Sequence, residues 1–135
     1  MSQQTADMLA DIGNLGVKQV IVNMGTDQDL NTFDPLAAYC TQNGVTLTMI
    51  VINRPGAPVG MMPSAPVAGV GTYGFNVSSA EGQAAVRTYA RSLAARYKNS
   101  VSNWVIGNEV NDAIHWDYNG EMDMQAHAES YAKAF

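Results

Sequence analysis

Three observations predict an α/β fold built on a parallel sheet. Apolar runs at residues 17–24, 45–52 and 100–107 alternate with segments of helical periodicity, in the order α-β-α-β-α-β-α. The first run is apolar on both faces, as strands are when helices cover a parallel sheet. The 135 residues are 47% hydrophobic and 14% charged, enough to bury a core in one domain spanning residues 1–135 and too apolar for disorder.

The elements follow in order. Residues 4–15 carry Met8, Leu9, Ile12 and Leu15 at helical spacing, and Gly16 supplies a C-terminal stop. The strand 17–24 comes next. Asp34-Pro35 opens a second helix with an N-cap and a proline at the first helical position; Asn43-Gly44 closes it in a left-handed turn. The strand 45–52 is rich in β-branched residues.

Residues 53–77 hold four of the five prolines and little charge. At that length the stretch reads as a functional surface loop rather than a connection. Its Gly69-Val70-Gly71-Thr72-Tyr73-Gly74 matches a dinucleotide fingerprint by letter, but it neither follows a strand directly nor opens a helix, so it reads as loop. Asn76-Val77-Ser78 is a glycosylation sequon, a pattern common by chance. Ser78 and Glu81 suggest a capping box for a third helix, with Val86, Tyr89, Ala90, Leu93 and Tyr97 as its apolar stripe. The third strand, 100–107, precedes an acidic, aromatic loop at 112–123 and a fourth helix from Met124 to Phe135.

Composition excludes several classes. A net charge of -5 argues against nucleic acid, which requires basic patches. The lone Cys40 permits no internal disulfide and reads as a small buried hydrophobe. No apolar run approaches the roughly 18 residues of a membrane helix, so no membrane partner is expected. The first five residues, Met1-Ser2-Gln3-Gln4-Thr5, lack the basic and apolar regions of an export signal, and localisation is left open. His115 and His127 are too few for a metal centre, and the acids at 117, 121 and 123 lack a calcium-loop pattern. Neither a metal nor a cofactor is expected.

In a parallel sheet, ligands meet the C-terminal ends of the strands. Those ends read Asn23-Met24-Gly25, Asn53-Arg54-Pro55 and Asn108-Glu109, each polar after an apolar run. Glu109 is the leading candidate: a carboxyl behind Trp104 and Ile106 would be partly desolvated, which suits a general acid. Asn108, Asn111, Asn23 and Asn53 are candidate contacts for substrate hydroxyls. In His115-Trp116-Asp117-Tyr118-Asn119-Gly120, Trp116 and Tyr118 offer flat faces for sugar rings, although aromatics there serve equally to anchor a loop.

The stretch Trp104-Val105-Ile106-Gly107-Asn108-Glu109-Val110-Asn111 resembles the strand-four signature of clan A glycoside hydrolases, in which an apolar strand ends in Asn-Glu. The resemblance implies a (β/α)8 barrel whose second to fourth strands contain Ile21, Ile50 and Val105. It implies Glu109 as general acid/base and Asn108 at the sugar 2-hydroxyl, with carbohydrate as the partner. Such a barrel needs about 250 residues, so the expectation is a partial TIM-type barrel of three to four strands. A retaining mechanism also needs a second carboxylate about 5–5.5 Å from the first. The resemblance places that nucleophile on strand seven, which this sequence does not supply, so the isolated chain is expected to be inactive. Two alternatives stand beside it. One is a non-catalytic half-barrel that dimerises through its exposed strand edges and at most binds sugar. The other is a flavodoxin-like ligand-binding domain, for which no phosphate-cradling loop follows the first strand.

Overall fold

The computed structural model describes residues 2–112, 117–119 and 123–134. Its elements are α1 (Gln3–Asn14), β1 (Gln19–Gly25), α2 (Asp34–Asn43), β2 (Thr46–Ile52), α3 (Ala80–Tyr97), β3 (Asn103–Ile106) and α4 (Met124–Ala134). The strands form one parallel sheet in the order β1-β2-β3. The chain is thus mixed α/β, with the predicted alternation.

Local chemistry sets the boundaries. Ser2 caps α1, its hydroxyl accepting from the Thr5 amide at 3.2 Å. Gly44 ends α2 in the left-handed region, with φ 63°, where its lack of Cβ removes the steric cost. Asp34 is not the α2 cap; it lies in the first turn, and its carboxylate accepts from Arg96 Nε of α3 at 2.8 Å. That hydrogen bond holds the Asp34 carboxyl below the usual range. For α3 the cap is Ser79, one residue beyond the expected Ser78. Its backbone is extended, and its hydroxyl accepts from Gly82 N at 3.0 Å, so the predicted box with Glu81 is replaced by a single cap. The third strand is shorter than predicted. Ser100 N and Val101 N both donate to Tyr97 O, finishing the helix, and at the other end Gly107 turns to φ 80°.

Right-handed crossovers between strands in sequential order advance in one direction, so their helices fall on one face of the sheet. The burial pattern agrees. Leu47, Met49 and Val51 of β2 are buried in a core with Ile12 of α1, Leu36, Ala37 and Cys40 of α2, and Val86, Tyr89, Leu93 and Tyr97 of α3. Val20, Val22, Trp104 and Ile106 pack against it from the outer strands, and Tyr131 from α4. Burial of each large aliphatic side chain contributes about 1.5–3 kcal/mol.

The opposite face departs from the sequence reading. Successive rows Ile21–Thr48–Asn103 and Asn23–Ile50–Val105 run across it, and Ile21 is 66% and Val105 42% exposed. Asn103 Nδ2 donates to Thr48 Oγ1 across this face at 3.2 Å. Apolarity at successive positions predicted helices over both faces; only one is covered among the described residues.

The core holds phenols as well as hydrocarbon. Burial, then the Asp27 charge, pushes Tyr89 from 10.0 up to about 12. Tyr97, whose hydroxyl donates to Leu30 O, and Tyr131 shift the same way, chiefly through burial. In the unfolded chain these phenols ionise near pH 10, before they do in the fold. The stabilisation is therefore complete below pH 10 and is lost as pH rises towards about 12. Urea unfolding should show a midpoint at pH 11 clearly below that at pH 8; equal midpoints would contradict the buried phenols.

Candidate functional site

The C-terminal rim of the sheet is built by three segments. Thr26 follows β1, Asn53 follows β2, and Gly107-Asn108-Glu109 follows β3. Gly107 N still donates to Val51 O at 2.9 Å, which keeps the turn in line with the sheet. Glycine is required there: φ is 80°, and a Cβ would sit 2.7 Å from Val110 Cγ1 and 2.8 Å from the Tyr131 hydroxyl.

Glu109 has φ 50°, the sole non-glycine residue with positive φ among those described. Such a conformation persists where its surroundings over-determine it, and it is common at functional sites. The Glu109 side chain is exposed rather than desolvated behind the strand, since the turn carries it out to solvent. Asn108 is half-buried, and Asn111 is exposed on the same turn. Asn23 stands exposed on the uncovered face, in register with Ile50.

Asn53 sits differently. It is 1% exposed; its Nδ2 donates to Met61 O at 2.9 Å and to Gly74 O at 2.8 Å, and its Oδ1 accepts from Thr26 Oγ1 at 3.0 Å. Its amide is committed to the protein, where the sequence reading gave it to a sugar hydroxyl. Asn53 ties the 53–77 loop to the sheet.

That loop then reaches the segment after β3. Asn53 bridges to Tyr73 and Tyr73 to Tyr118, with Tyr73 N donating to Asn53 O at 2.9 Å and Gly74 N to Tyr118 O at 3.0 Å. Tyr118 meets Tyr73 edge-to-face at 5.6 Å while remaining half-exposed. Trp116 and His115 lie outside the described residues. Asn76 donates from Nδ2 to Gly60 O and accepts from Ser79 Oγ, so the sequon asparagine is engaged in the fold.

Thr26 and Tyr131 were not expected at the site, and Asp117 was expected only as one of the loop acids. Thr26, 3% exposed, accepts from Arg54 N and donates to Asn53, linking β1 to β2 beyond the ladder. Asp117 is 1% exposed, with Asn119 Nδ2 donating to its Oδ2 at 3.2 Å. Tyr131, from α4, reaches beneath Gly107. An apolar cavity of about 190 Å³ between Val51, Val86, Tyr89, Leu93, Trp104 and Ile106 lies on the helix-covered side and belongs to core packing rather than to the rim.

Among the described residues, no three His, Cys, Asp or Glu side chains converge as metal ligands. None of the described helices is long and apolar enough to cross a membrane. Residues 26–135 match a family described as a family of unknown function (DUF5722). No curated protein and no solved structure matches the chain.

Proposed function

The chain belongs to the DUF5722 family, and we propose from its own geometry that it is part of a (β/α) barrel of glycoside hydrolase type, with Glu109 as general acid/base. The observation that carries this reading is the one-sided sheet. Three parallel strands in sequential order have their helices on a single face, and the other face is left open with Asn23, Thr48, Asn103, Ile21 and Val105 on it. A barrel has that arrangement, with helices outside and layered side chains within. A doubly wound sheet has helices on both faces, which weighs against the flavodoxin-like alternative. Glu109 projects from the end of β3 at the rim where barrel enzymes keep their sites.

In this reading Glu109 protonates the departing glycosidic oxygen and later activates water. Asn108 and Asn111 present amides to hydroxyls on the same turn, and Tyr118 offers a ring face. The second carboxylate of a retaining mechanism has no identified counterpart at the described rim. Asp117, on the loop that follows, is buried against Asn119. These residues therefore supply one half of the chemistry, and the isolated chain is inactive. The test is hydrolysis of a glycoside panel by the native protein, meaning the complete barrel that this reading implies, and by its Glu109→Gln variant. No hydrolysis by the native protein, or equal hydrolysis by both, removes the assignment.

A second reading has an observation of its own. Ile21, 66% exposed on an outer strand, and Val105, 42% exposed on the other, leave an apolar band beside unpaired strand edges. In that reading the chain pairs with a second copy over this face. Sedimentation at increasing concentration should then show a dimer that Ile21→Lys returns to monomer. A monomer throughout would eliminate it.

A further inference from the structure

Glu109 holds a left-handed conformation, and contacts close around its turn. Asp112 N donates to Glu109 O at 2.7 Å, and Asp117 N donates to Asp112 O at 2.9 Å. The Asp117 carboxylate is buried, and Asn119 Nδ2 reaches both its Oδ2 at 3.2 Å and its backbone carbonyl at 2.9 Å. Asn119 in turn packs on Gly74, where any Cβ would collide with its amide. The Tyr131 hydroxyl lies beside Asp117, and burial followed by that charge raises its pKa. The same hydroxyl reaches to 2.8 Å from the position a Gly107 Cβ would occupy. The path therefore runs from Gly107 through Glu109, Asp112, Asp117 and Tyr131 back to Gly107.

A buried carboxylate is costly unless nearby dipoles compensate it. Here Asn119 Nδ2 compensates it, and the Tyr131 hydroxyl lies beside it. Resting on the assignment of Glu109 above, we propose that Asp117 and Tyr131 are positioning residues, which lock the 107–112 turn so that the Glu109 carboxylate stands over the rim. Neither touches substrate. Asp117 anchors the returning loop, and the Tyr131 hydroxyl fills the space that Gly107 leaves and ties α4 to the strand end. A general acid held within a fraction of an ångström of its target keeps its advantage, and a loosened one loses it.

The experiment pairs local exchange with kinetics. In the 135-residue chain, Tyr131→Phe keeps the ring and removes only the hydroxyl. Amide hydrogen exchange at Asp112 should rise at least about tenfold while Met49 and Val51 in β2 keep their protection. Asp117→Asn should move the same amide in the same direction. In the native protein, Tyr131→Phe should lower kcat about tenfold with KM unchanged, the mark of a group that acts only on the transition state. Unchanged exchange at Asp112, or a rise shared equally by β2, overturns the proposal. So does an unchanged kcat in Tyr131→Phe where Glu109→Gln is inactive; that result leaves the Glu109 assignment standing. Full kcat in Glu109→Gln instead removes the assignment itself, whatever the exchange shows.

Discussion

Replacing Glu109 with glutamine should lower kcat/KM of the native protein on an unactivated glycosidic bond by about 10²- to 10⁴-fold, the usual contribution of a positioned general acid. The exchange is nearly isosteric. It removes the proton that the leaving oxygen needs and leaves the side chain able to hydrogen-bond. Because the Glu109 side chain is exposed and its backbone conformation is set by the surrounding turn, the fold should not notice the change. Thermal unfolding of the variant should match the native chain to within about 0.5 kcal/mol, as for surface substitutions generally. A loss of activity accompanied by a comparable loss of stability would mean that Glu109 supports the turn rather than the reaction.

Asn53→Ala should have the opposite profile, a large loss of stability from a residue that the sequence alone offered as a substrate contact. The substitution leaves the Gly74 carbonyl without its amide donor, takes one of two donors from the Met61 carbonyl, which keeps Asn76 N, and takes the acceptor from Thr26 Oγ1, all in a buried setting. The orphaned Gly74 carbonyl and Thr26 O–H cost about 1–3 kcal/mol each, and partial relaxation brings the expected total to about 2–4 kcal/mol. Chemical denaturation would measure it. The damage should centre on residues 53–77, because Asn53 is the point where that loop meets both β1 and β2. A cost below about 1 kcal/mol would show that the loop is held by its apolar contacts, Met61, Phe75 and Val77 in the core, rather than by the amide.

Asn53 also illustrates how far the sequence could be read. The alternation of strands and helices was legible because apolar runs and capping residues are local signals: Gly44 and the α3 stripe of Val86, Tyr89, Leu93 and Tyr97 fall where expected. What a polar residue does at a strand end is not local. Asn53 meets carbonyls 8 and 21 residues further on, and nothing in its own neighbourhood distinguishes a staple from a ligand contact. The face of the sheet that remains open was misread for a related reason. Ile21 and Val105 are apolar, and apolarity says that a side chain will be covered without saying by what. The Gly107-Asn108-Glu109 turn was legible as a pattern, but its left-handed Glu109 was not, since glutamate has no preference for that region. Tyr131 was invisible, and Asp117 legible only as a loop acid, for the same reason as Asn53: their contacts cross from α4 to the loop after β3.

These residues divide the rim into a scaffold and a working edge. Thr26, Asn53, Tyr73 and Asp117 are buried and hold the loops together; Asn108, Glu109, Asn111 and Tyr118 keep some exposure and, in the proposed reading, meet the substrate. Substitutions of Thr26, Asn53 and Tyr73 should appear in stability, of Asp117 in the mobility of the 107–112 turn, and of the second group in kinetics.

The most direct test of Glu109 as acid/base compares leaving groups. A dinitrophenolate departs without protonation, whereas a sugar alkoxide does not. In Glu109→Gln, release of dinitrophenolate in the first turnover should therefore proceed at a rate close to that of the native protein, while cleavage of an oligosaccharide falls by about 10²-fold or more. Equal losses on both substrates, or none on either, would contradict the assignment.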